Sequence, residues 1–211
     1  MDKNYRYLGY FLFLLIPLVF AGFFKTYIQP FPNFEEDINF YIHIHAAIAT
    51  LWVAILIIQP FLIVNKKTAL HKKIGKLTYL IFPLLILSFV PRIIRTYNLE
   101  EYPNLFFSLA DGSLLILFYS LAIYNKKKTA LHMRYMIASA LVLLGPTVGR
   151  IGPILLGWGE VLTQNVQYGI IYSILISLVL YDMKNQRKCQ PYLVAIGAYA
   201  IHQIVFHAIF L

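Results

Sequence analysis

Six histidines, one aspartate and three arginines are the residues of this chain best suited to moving protons or holding a metal, and most stand at the edges of apolar runs. His43 and His45 open one run, and His202 and His207 fall near the end of another. Asp111, Arg92, Arg95 and Arg150 lie in or beside three more. Ionisable groups inside a membrane span are costly, so each marks a candidate site. A neutral imidazole ligates zinc or haem iron, a guanidinium holds a carboxylate, and an aspartate beside a metal activates water. His71 and His132 stand instead among lysines, in NKKTALH and NKKKTALH, and read as parts of a structural loop motif.

The elements that must position these residues are membrane spans. Of the 211 residues 60% are hydrophobic and only 13% charged, with a mean hydropathy of +0.69. That composition cannot supply the polar shell of a soluble domain. We predict an all-α polytopic bundle, a single transmembrane domain over 1–211, with seven spans. These fall at about 7–24, 40–64, 77–94, 105–124, 136–156, 166–181 and 192–211, each near the length a bilayer requires. The first has a basic start and an apolar core, as a signal peptide has, but reads as a retained span.

The net charge of +9 is confined to short loops, which argues against a nucleic-acid partner and for topology information. Lys3, Arg6, Lys66, Lys67, Lys72, Lys73, Lys76, Lys126, Lys127, Lys128, Arg134, Lys184, Arg187 and Lys188 fall in one set of loops. Lys25, Arg92, Arg95 and Arg150 fall on the other side, with Glu35, Glu36, Asp37, Glu100, Glu101 and Glu160. The positive-inside rule predicts the N-terminus in the cytoplasm and the C-terminus outside. The lone Cys189 supports no disulfide and no thiolate metal site.

The motif at Asn65–His71 returns at Asn125–His132, each time between two spans. Spans 2–3 and 4–5 therefore form a parallel helix-pair repeat, with spans 6–7 around 182–191 as a diverged third copy. With that topology His43, His45, Arg92, Arg95, Asp111, Arg150, His202 and His207 share one slab of the outer leaflet. The cytoplasmic halves of the spans hold almost no ionisable groups. A buried ion pair of Asp111 with Arg150 is one expectation for that slab.

Helix geometry divides the histidines. His43 and His45 point about 200° apart. The His43 face continues through Ala47, Thr50 and Ala54, and the His45 face through Ala49, Trp52 and Gln59. His202 and His207 are five residues apart, off the three- or four-residue spacing of helical chelation. Span 5 carries Gly145, Pro146, Gly149, Gly152 and Pro153 around Arg150, which predicts interrupted helical bonding beside a cation.

Three resemblances follow from these residues. His43-x-His45-Ala46, Gln59-Pro60, Leu70-His71-x-x-x-Gly75 and His132-x-Arg134 resemble an uncharacterised bacterial membrane-protein family, domain of unknown function 2306, over spans 2 to 5. That likeness implies a polytopic membrane protein and brings no reaction with it. The histidines on different spans, with nearby arginines, resemble membrane b-type cytochromes, although there is no second, deeper histidine pair. That likeness implies one haem b, with His43 or His45 and His202 or His207 as axial ligands and Arg92, Arg95 or Arg150 at the propionates. A quinone or another redox partner would accompany it. A histidine early in span 2 and two late in span 7 are also similar to the zinc hydrolases related to alkaline ceramidases, with Asp111 as the base. The five-residue spacing and the place of Asp111 in span 4 depart from that pattern. A third expectation needs no metal: a transporter or lipid-binding membrane protein whose histidines, Asp111 and Arg150 relay protons or hold an anion.

Overall fold

A computed structural model describes residues 5–31 and 40–211. Lys3, Glu35, Glu36 and Asp37, counted above for topology, lie outside the described residues. Among the described residues there is no strand, and seven helices are long and apolar enough to cross a membrane. They are α1 (Leu8–Ile28), α2 (Phe40–Val64), α3 (Thr68–Asn98), α4 (Asn104–Tyr124), α5 (Thr129–Leu155), α6 (Glu160–Lys184) and α7 (Gln190–Phe210). Their outward faces are apolar: Leu80 is 61% exposed, Leu180 60% and Ile204 68%. Water does not tolerate such a continuous apolar surface, whereas lipid covers it without cost. This is a multi-pass membrane protein.

Helices α3, α5 and α6 run past the expected spans, because hydropathy marks the edge of the apolar window and not the end of helical bonding. Residues 68–76 and 129–135 are helical although rich in lysine, histidine and arginine. Where helices break, proline is the cause. Pro17, Pro91 and Pro146 lack the N–H that would bond Phe13, Leu87 and Val142, and α-helical hydrogen bonding is interrupted at Leu14, at Ser88–Phe89 and at Val142–Leu143. In α5 the amide of Gly145 turns to the Val142 carbonyl instead, at 3.0 Å. A π-helical turn, Ile151–Leu155, follows around Pro153. The interruption expected in span 5 is therefore present, and Pro83 by contrast sits inside unbroken helix.

Contacts divide the chain into two compact units, Met1–Glu100 and Glu101–Leu211. In the first, α2 packs on α1 and α3, with Trp52 fully buried against Phe82 at a ring separation of 5.3 Å. In the second, α5 packs on α4, α6 and α7, and α7 also on α4 and α6. Its core holds Phe118, Ala122, Ile171, Leu175, Tyr192 and Phe206 without exposure.

Three hairpin turns share one device. Asn65, Asn125 and Asn185 each end a helix by donating a side-chain N–H to the carbonyl four residues back, at 2.8, 2.8 and 2.7 Å. The α2–α3 and α6–α7 turns are also closed alike. Lys66 and Gln186 take left-handed backbone (φ 59 and 53), and the next amide reaches back five residues, Lys67 to Leu62 and Arg187 to Asp182. The α4–α5 turn, one lysine longer, closes differently.

Candidate functional site

In the second unit, α4, α6 and α7 bring a carboxylate, a phenol and an imidazole together. His202 is buried on α7 at 5% exposure. Its Nε2 lies 3.4 Å from Asp111 Oδ1 on α4, and its Nδ1 lies 2.7 Å from the Tyr168 hydroxyl on α6. Among the described residues Nε2 makes no hydrogen bond, and it faces the carboxylate at ion-pair distance only. Nδ1 and the Tyr168 hydroxyl share one hydrogen bond, whose direction follows the tautomer of the ring. Three helices thus set a carboxylate, an imidazole and a phenol side by side, each able to exchange a proton.

The walls of this site are aromatic. The ring of Phe106 stands 4.9 Å from the His202 ring, Tyr168 5.7 Å and Tyr199 6.4 Å. Tyr199 is 1% exposed, and among the described residues its hydroxyl has no hydrogen-bond partner. Asp111 owes its place to α5, where Gly145 leaves room for the carboxylate. A Cβ at Gly145 would stand 2.6 Å from Asp111 Oδ2. The bend before Pro146 and the glycine beside it therefore serve the carboxylate directly.

The half-buried Asp111 lies against His202, in place of the pairing with Arg150 expected from sequence. Arg150 turns a guanidinium N–H to the Pro146 carbonyl at 2.7 Å, beside the bend. His207 points elsewhere than His202. Its Nδ1 donates to the Gln203 carbonyl at 2.9 Å, which leaves the lone pair on Nε2. Gln203 in turn accepts from the Tyr172 hydroxyl at 2.9 Å. Among the described residues no group of three or more His, Cys, Asp or Glu comes together to hold a metal ion.

The remaining candidates belong to the first unit. His43 meets the Tyr27 hydroxyl at 2.9 Å, on the α1 side of α2. His45 meets Ser88 Oγ at 2.8 Å, on the α3 side, and stacks edge-on against Phe89 at 4.7 Å. Ser88 spends its own hydrogen on the Leu85 carbonyl, so His45 Nδ1 is the donor. The His45 face is the α3-packing face throughout, since Trp52 meets Phe82 and Gln59 donates to the His71 carbonyl at 3.3 Å. Arg92 and Arg95 are exposed on the last helical segment of α3.

One expectation is overturned. Ionisable groups also meet at the Asn185 end of the second unit, where Arg134 grips Asp182 through two bonds of 2.6 and 2.7 Å. The pair is 1% and 0% exposed, and a third guanidinium bond goes to the Ala130 carbonyl at 2.9 Å. Both residues lie outside the spans that hydropathy marks, because helical bonding continues past the apolar windows into 129–135 and through Lys184. His132, beside them, bonds the Ala122 carbonyl of α4 through Nδ1 at 2.8 Å.

Tyr168 is the functional candidate that charge-based reading passed over. Its signal is positional: Tyr168 and His202 are each seventeen residues from Asn185, so a hairpin turning there sets them at one depth. Compared with protein-family models, curated proteins and solved structures, the chain matches none, and its likeness to the uncharacterised family stays a resemblance.

Proposed function

We propose that this chain is a bacterial inner-membrane protein in which Asp111, His202 and Tyr168 form an intramembrane proton relay, serving proton-coupled movement or binding of a small solute. The observation that supports this reading is the juxtaposition of a half-buried carboxylate, a buried imidazole and a buried phenol from three helices. Ionisable side chains at membrane depth are rare and concentrate in proton relays and substrate paths. In this reading, with the ring hydrogen on Nδ1, a proton on Asp111 passes to Nε2 while Nδ1 gives its hydrogen to the Tyr168 oxygen. Tyr168 then releases its own hydroxyl proton onward to water or solute. The matched turns at Asn65, Asn125 and Asn185 favour three parallel helix pairs, and the lysine count favours a cytoplasmic N-terminus.

The test is proton flux. Reconstitute the protein in vesicles loaded with a pH-sensitive dye, impose an inside-negative potential, and follow internal acidification. Wild-type protein is expected to acidify the lumen above the protein-free rate, with Asp111→Asn and His202→Gln at background. Flux that is equal in wild type and Asp111→Asn would overturn the reading.

A haem b is the second reading, favoured by one observation: His207 holds the tautomer of an axial ligand, with Nδ1–H on a backbone carbonyl and the lone pair on Nε2. His202 fits that role poorly, since Nδ1 bonds the Tyr168 hydroxyl and Nε2 lies 3.4 Å from the Asp111 carboxylate, with no room there for iron. A Soret band in protein purified from haem-supplied cells, shifting with dithionite and lost in His207→Ala, is its expected signature. Its absence rejects this reading and leaves the relay untouched. The zinc-hydrolase reading lacks its ligand set among the described residues.

A further inference from the structure

The turn between α2 and α3 carries charge of one sign only. Lys66, Lys67, Lys72, Lys73 and Lys76 are all exposed, and the sequence has no Asp or Glu from residue 38 to residue 99. The hairpin therefore contains no carboxylate able to neutralise them. Lys72 and Lys76, and Lys73 and Lys76, stand four and three residues apart on one helix, where like charges repel. Lys66 holds left-handed backbone at φ 59, a position where glycine fits with less strain, and lysine there adds one more ammonium to the turn. Such an arrangement needs a counter-charge from outside the hairpin.

The neighbours of the lysines indicate what supplies it. Leu70 is 42% exposed, Leu77 49%, Tyr79 46% and Leu80 61%, so apolar surface begins directly beside the ammonium groups. A water-borne polyanion would satisfy the charge and leave this surface bare. A phospholipid satisfies both, with its phosphate among the lysines and its acyl chains along α3. We propose that residues 65–76 form a docking surface for anionic phospholipid headgroups, independent of the relay in the second unit.

The experiment is a lipid titration of the detergent-solubilised full chain, comparing phosphatidylglycerol with phosphatidylcholine by native mass spectrometry. Wild type is expected to prefer phosphatidylglycerol by tenfold or more. The variant K72Q/K73Q/K76Q is expected to bind it at least tenfold more weakly, at about fivefold per lysine at most. Its phosphatidylcholine binding should be unchanged. These lysines are exposed, so the variant should keep its helical circular dichroism, and the single K73Q, about fivefold weaker, serves if it does not. Equal affinity for the two lipids, or a preference unmoved by the substitutions, would overturn the proposal. Displacement of the lipid by inorganic phosphate alone would overturn it as well, by pointing to a free-anion site.

Discussion

At the scale of single residues, two buried tyrosines provide a contrast. Tyr168 bonds His202 Nδ1, while the Tyr199 hydroxyl has no partner among the described residues although the residue is as deeply buried. Removing a paired hydroxyl leaves the other partner unsatisfied, whereas removing an idle one costs little. Tyr168→Phe is therefore expected to lose about 1–3 kcal/mol of stability, and Tyr199→Phe to stay within about 0.5 kcal/mol of wild type. Thermal unfolding in one detergent measures both, and equal losses would mean that the two hydroxyls are equally engaged. His202 and Asp111 were legible from sequence as ionisable groups inside apolar runs. Their pairing was not, because depth along a helix says nothing of which face turns inward. The phenol was missed because it carries no charge, though its distance from Asn185 was there to read.

At the scale of elements, the interruptions of α5 and the clamp of Arg134 on Asp182 do different work. Gly145 makes room for Asp111, so Gly145→Ala is expected to push the carboxylate away from His202 and abolish proton flux in vesicles while helical circular dichroism stays unchanged. Arg134 and Asp182 tie α5 to α6 in full burial. Removing one charge leaves the other alone in a low-dielectric interior, so Arg134→Met and Asp182→Leu should each cost about 3–5 kcal/mol. The double substitution should recover most of that loss, and a double variant as unstable as the singles would show that the charges themselves are required. The helix breaks were legible as prolines, and their sites follow from the missing N–H. Pro83 and Pro146 look alike in sequence, yet only Pro146 stands at a break, since the surrounding packing decides whether a helix bends or absorbs the lost bond. The clamp was hidden for another reason: lysine-rich sequence around Arg134 looked like loop, and a hydropathy window cannot see a helix continuing past its apolar part.

At the scale of the whole molecule, seven apolar helices were legible from composition and run length alone, because a bilayer leaves the backbone few other choices. The matched asparagine turns number three, two of them closed by a left-handed residue, Lys66 or Gln186, directly after the asparagine. Cys189, the one cysteine of the chain, lies in the α6–α7 turn and reports the orientation. With the N-terminus in the cytoplasm, a membrane-impermeant maleimide should label it in inside-out vesicles and leave it unlabelled in intact spheroplasts. The reverse pattern would invert the topology. The relay itself is tested most directly by infrared difference spectroscopy of the purified full chain between acid and alkaline buffer. The account predicts a carboxylic-acid carbonyl band that disappears in Asp111→Asn and shifts in His202→Gln. A difference spectrum that is the same with and without the Asp111 carboxyl would contradict it.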